Sequence, residues 1–65
     1  MDKLKELRVY KCLSQRDVAK NLGISPTCYA GYEQGYRQPD LRMLKKICIF
    51  FEVSADYLLG LTDEY

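Results

Sequence analysis

The sequence contains no histidine and only three cysteines, Cys12, Cys28 and Cys48. An odd count, wide spacing and no C-x-x-C pair leave too few ligands for a zinc site and give no disulfide framework. No metal and no other cofactor is expected. The thiols read as small apolar fillers in a reducing compartment. Without histidine, a general base has to be a carboxylate or a lysine held in a cleft. No paired carboxylates, nucleophile motif or phosphate loop is found, and Asp63 with Glu64 reads as a solvated tail pair. The residues therefore do not point to an enzyme.

Long apolar runs are also missing. The longest, residues 47–51, is far shorter than the roughly 20 residues a bilayer requires. Residues 1–5 lack the apolar stretch of a secretory signal. The expectation is a cytoplasmic protein with no membrane partner. Runs of like charge are absent too, and 48% hydrophobic with 29% charged residues fits a globular chain rather than a disordered one. The 65 residues make one domain. A domain of this size buries only about 60% of its unfolded surface. That leaves no room for a substrate pocket beside the core or for an effector domain, so no small-molecule effector is expected.

Net charge is +1, but it is unevenly spread. Residues 1–46 hold all ten Lys and Arg against five acids, whereas residues 47–65 hold four acids and no basic residue. The first part can face a polyanion and the second cannot do so comfortably. Ordinary surface charge for solubility remains the alternative at this point.

No segment alternates with the period of a strand, and each stretch between breakers reads as a short helix. Helix one is expected over about 3–11, with Asp2 as its cap and Leu4 and Leu7 on one face. Helix two starts at a capping box, with Ser14 as cap and Asp17 three residues on, and ends at Gly23. Val18, Ala19 and Leu22 are its inner face. Helix three has Ser25 as cap and Pro26 at its first position, and Gly35 closes it. After the loop of residues 36–39, Asp40 caps helix four, whose Leu41, Leu44, Ile47, Cys48 and Phe51 repeat at three and four residues. Ser54 caps a short fifth helix through Leu59. Residues 61–65 read as a loose tail. The fold expected is all-α, a compact five-helix bundle.

Helices two and three, residues 14–34, carry the functional signal. Ala19 lets the next helix approach, Gly23 turns the chain and Ile24 plugs the corner. So tight a turn sets two helices at about 90–120° and lets the second project into a major groove. At 100° per residue, Cys28, Tyr29 and Tyr32 share one side of helix three. Pro26, Thr27, Ala30, Gly31 and Gln34 share the other, which carries no acid and nothing bulky.

Three stretches resemble the phage repressor and Cro family of helix-turn-helix proteins, also called the XRE family. They are Leu13-Ser14-Gln15-Arg16-Asp17-Val18-Ala19-Lys20-Asn21-Leu22-Gly23-Ile24-Ser25, Tyr32-Glu33-Gln34-Gly35-Tyr36-Arg37-Gln38-Pro39-Asp40 with its Y-E-x-G-x-R-x-P signature, and Val53-Ser54-Ala55-Asp56-Tyr57-Leu58-Leu59-Gly60. The resemblance covers residues 3–60. It implies a lambda-repressor-like fold and a bacterial or phage transcriptional regulator, a repressor, that binds double-stranded DNA at an inverted repeat as a homodimer.

The same resemblance implies roles residue by residue. Gln15 contacts a phosphate and braces helix three, and Arg37 with Tyr36 beside it reaches a phosphate. Arg8 pairs with Glu33 as a structural ion pair. Base reading falls to Pro26, Thr27 and Gly31, with Ala30 and Gln34 beside them. No Arg, Asn or Gln stands at the front of the helix for a bidentate base contact, so shape and phosphate contacts carry a larger share of affinity. Cys12 stands where the family often has glycine. Ile49 and Phe50 lie off the inner stripe of helix four, and with Tyr57, Leu58, Leu61 and Tyr65 they make a candidate dimer interface; Phe50 tucked under the fifth helix is the other reading. An antitoxin or other protein-interaction module sharing this fold is the alternative function.

Overall fold

In the computed structural model, residues 1–64 are described. They form five helices: α1 (Asp2–Tyr10), α2 (Gln15–Leu22), α3 (Pro26–Gln34), α4 (Leu41–Phe51) and α5 (Ala55–Leu58). No strand occurs among the described residues. No helix among them is long and apolar enough to cross a membrane.

Side-chain caps start four of the helices. The hydroxyls of Ser14, Ser25 and Ser54 and the carboxylate of Asp40 each accept a backbone N–H three residues on. At Ser14 the box is complete, because the Asp17 carboxylate also accepts the Ser14 backbone N–H at 3.0 Å. Each cap satisfies an amide that the helix leaves unpaired and contributes about 1 kcal/mol. Helix α1 is the exception. Asp2 is not its cap: it lies inside the first turn, Met1 takes the cap position, and no side chain caps it.

Four helices also end alike. Residues Cys12, Gly23, Glu52 and Gly60 have φ near +60 to +80°. The residue after each donates its N–H back to a carbonyl five residues before it, as in Ile24 to Ala19 at 3.0 Å and Leu13 to Arg8 at 3.1 Å. This closure satisfies the last carbonyls and reverses the chain tightly. Between α2 and α3 it leaves only three residues, so α3 must leave at once in a new direction.

The core gathers Leu4 and Leu7 of α1, Val18, Ala19 and Leu22 of α2, Tyr29 and Tyr32 of α3, Ile47 and Phe51 of α4, and Tyr57 and Leu58 of α5. Helix α3 packs on α1 and α2, α4 packs on α2 and α5, and α5 packs on α1. Burying one large apolar side chain contributes about 1.5–3 kcal/mol. Two expectations about this core fail. Leu41 is 84% exposed rather than inward, because it stands in the first turn of α4, ahead of the packed part. Tyr57 and Leu58 are core rather than interface residues, since α5 turns both onto α1 and α4. The Lys3 ammonium lies 5.0 Å from the Tyr57 ring centroid.

Candidate nucleic-acid interface

Helix α3 is fixed from behind and open in front. Behind it, the Arg8 guanidinium donates from Nε to Glu33 Oε2 at 2.6 Å and from Nη2 to Oε1 at 3.3 Å. Its Nη1 also donates to the Leu13 carbonyl at 2.9 Å, tying the α1–α2 loop into the same group. The Glu33 side chain is 3% exposed and that of Arg8 14%, so this expected ion pair is a buried one. Gln15 joins it, its Nε2 donating to Glu33 Oε1 at 3.1 Å. One carboxylate on α3 is thus gripped by α1 and by the first residue of α2.

Electrostatics at this point follow from burial. Burial raises the Glu33 pKa. The bonds from Arg8 and Gln15, with the Tyr29 hydroxyl nearby, more than reverse that and hold it below the ordinary value. Burial and the adjacent Glu33 charge push the Tyr29 hydroxyl the other way, well above its usual range. That hydroxyl is buried without a hydrogen-bond partner of good geometry. Tyr32 is pushed up to about 12, first by its contact with Cys28, whose Sγ lies 3.6 Å from the hydroxyl, and then by burial.

In front, Pro26, Thr27 and Gln34 are exposed and Ala30 is half-buried. Glu33 is the acid of α3, and it is turned away into the ion pair, so α3 itself puts no negative charge on this face. Tyr36 is 83% exposed and Arg37 is exposed in the loop that follows. The Arg37 guanidinium makes no hydrogen bond or ion pair with another described residue. Gln15, Gln34 and Tyr36 line a shared recess with Lys5 and Asp2.

Some expected placements differ. Gly31 does not lie open on the front of α3; it is buried, and the aliphatic stem of Arg37 covers it. Of the candidate interface residues on α4, Ile49 is exposed, while Phe50 is half-buried against the core and meets Phe51 edge to face at 5.0 Å. Leu61 is exposed. Tyr65 lies outside the described residues. Sequence reasoning missed the Lys5 side of the recess, since no spacing rule links α1 to the end of α3.

A two-helix unit with a three-residue turn, the second helix locked from behind and free in front, is the defining geometry of one kind of protein. A family model described as helix-turn-helix matches residues 4–58. The chain belongs to the helix-turn-helix family. Its five helices fit the lambda-repressor-like fold within that family.

Named relatives agree. The chain is 45% identical over 60 residues to the HTH-type transcriptional regulator AnsR of Bacillus subtilis, covering 92% of this chain and 52% of AnsR. It is 35% identical over 58 residues to RstR of Vibrio cholerae, a cryptic phage CTXphi transcriptional repressor, covering 89% and 52%. It is 40% identical over 59 residues to the transcriptional activator BcrR of Enterococcus faecalis, covering 91% and 29%. The chain thus spans about half the length of the first two and under a third of the last. No solved structure matches it significantly.

Proposed function

We propose that this chain binds double-stranded DNA as a transcriptional regulator, with α3 in the major groove. The observation that carries the reading is the contrast between the two sides of α3. Its one acid is buried against Arg8, while Pro26, Thr27 and Gln34 face outward and the exposed Arg37 stands just past the end of the helix. Phosphate contacts from Arg37, Tyr36 and Gln15 set the register, and the Thr27 hydroxyl or methyl reads a base edge. Gln15 already donates to Glu33 through its amide, so it acts on DNA as the brace of α3 and through the phosphate it reaches from the start of α2.

The finer reading is a bacterial or phage repressor working in the cytoplasm as a homodimer on an inverted repeat. RstR, named a repressor, supports the sign of regulation. Exposed Ile49 and Leu61, with the edge of Phe50, support pairing of two copies through α4 and the following segment. No small-molecule effector enters this reading.

Binding of a duplex by the Arg37→Ala, Gln15→Ala and Thr27→Ala variants, measured over a range of salt, tests it. Arg37→Ala and Gln15→Ala should weaken all sequences alike, and Arg37→Ala should lower the salt slope by about one. Thr27→Ala should instead change the preference between sites. Equal binding by all three variants contradicts the placement of α3.

A further inference from the structure

Glycine inside a helix lowers stability relative to alanine, so one at residue 31 asks for a reason. It is not an open approach to a ligand, because Gly31 is buried. A Cβ built on it meets Arg37 Cδ at 3.0 Å, Cγ at 3.1 Å and Cβ at 3.4 Å. A side chain at position 31 therefore presses on the stem of Arg37, which has to give by a few tenths of an ångström for a Cβ alone and by more for anything longer. The backbone holds it there too. Where α1, α2, α4 and α5 close with a bond from the residue just past the left-handed position, α3 closes one residue later, by the Arg37 N–H donating to the Gly31 carbonyl at 3.2 Å. Residue 37 is thus fastened to residue 31 twice, by its amide and by its stem, while its guanidinium has no hydrogen-bond or ion-pair partner among the described residues.

We propose that Gly31 is a positioning residue, whose missing side chain seats the stem of Arg37 along α3 and so aims its guanidinium at the phosphate flanking the recognition helix. The seat itself is a property of the free domain; its use on a phosphate rests on the DNA-binding reading above. Gly31 then contributes affinity through Arg37 and carries no base preference of its own. Recognition narrows to the first turn of α3 around Thr27 and to Gln34.

Gly31→Ala and Gly31→Leu, each made in the wild type and in Arg37→Ala, test this with two readouts. The first needs no DNA. In the Arg37→Ala background Gly31→Ala gains helix propensity without opposition and should raise Tm by about 4–8 °C. In the wild type the displaced stem should cancel most of that rise. An equal rise in both backgrounds overturns the seat.

The second readout is duplex binding against salt concentration. Gly31→Leu should weaken binding and lower the slope of log K on log salt by about one when Arg37 is present, and should add nothing in Arg37→Ala. An altered sequence preference with the slope intact means that position 31 faces bases and overturns the proposal. If the wild type shows no salt-dependent DNA binding, the functional reading fails and the phosphate role falls with it, while the melting comparison still decides the seat.

Discussion

Glu33 is the residue on which the orientation of α3 depends most. Its carboxylate receives Arg8 of α1 and Gln15 of α2 in a nearly closed site. Removing one member of such a pair leaves the other charge buried and unpaired, which is far costlier than losing an exposed ion pair. Glu33→Ala should therefore cost about 3 kcal/mol, seen as a lower urea midpoint without DNA. A loss confined to DNA binding would count against the pair as a structural element. The pH dependence has a definite sign. A carboxylate held below its unfolded value stabilises the fold above that value and loses the effect as pH falls through the folded one. Wild-type stability should decline as pH drops below the ordinary glutamate value of 4.5, and Glu33→Gln should flatten the decline. A residual slope remains from Asp17, held low by the backbone amide and then the hydroxyl of Ser14. Urea titrations at stepped pH separate the two. The pair was legible in the sequence only because a family motif names both partners; nothing in spacing alone brings residues 8 and 33 together.

Among the helices, those with caps were the easiest to place. Ser14 with Asp17, Ser25 with Pro26, Asp40 and Ser54 each mark a start in the sequence, and each bonds as its residue type requires. Ends marked by Gly23 and Gly35 were equally plain. Less legible were residues whose side chain hides their role. Cys12 and Glu52 take the left-handed conformation that glycine takes elsewhere in this chain. For an L-residue that conformation costs about 1–2 kcal/mol, and only part of it is recovered against glycine's extra chain entropy. Cys12→Gly and Glu52→Gly should each stabilise the domain by about 1 kcal/mol, a rise in Tm of several degrees by calorimetry. Destabilisation by Cys12→Gly would show that the thiol packs in a way its exposure does not suggest. Periodicity misled at Leu41, because a 3.6-residue repeat says which face a residue shares but not whether a neighbour reaches that far along the helix. It misled again at Gly31, where the covering atoms come from a loop six residues on. The assignment of Tyr57 and Leu58 to an interface failed for a related reason: sequence spacing does not say that α5 packs on α1 and α4 and buries both.

At the scale of the molecule, dimensions and charge bear on how two copies meet DNA. The domain measures 28 × 25 × 19 Å. A pair of copies on an inverted repeat requires equivalent helices about one turn of B-DNA apart, near 34 Å. The basic residues all precede α4's last turns, and the four acids of residues 47–65 follow them. The residues proposed for pairing, Ile49 and Leu61, fall within this acidic segment and not within the basic part of the chain. Association with DNA should weaken as salt rises, because the Lys and Arg contacts to phosphate release counterions. The central claim, that the front of α3 reads duplex DNA in a paired arrangement, is tested most directly by selecting bound sequences from a random duplex pool at two salt concentrations. The account predicts enrichment of an inverted repeat with half-sites about one helical turn apart, with the bound fraction falling at the higher salt. Binding that enriches no sequence, or that is equally strong at both salt concentrations, would contradict it.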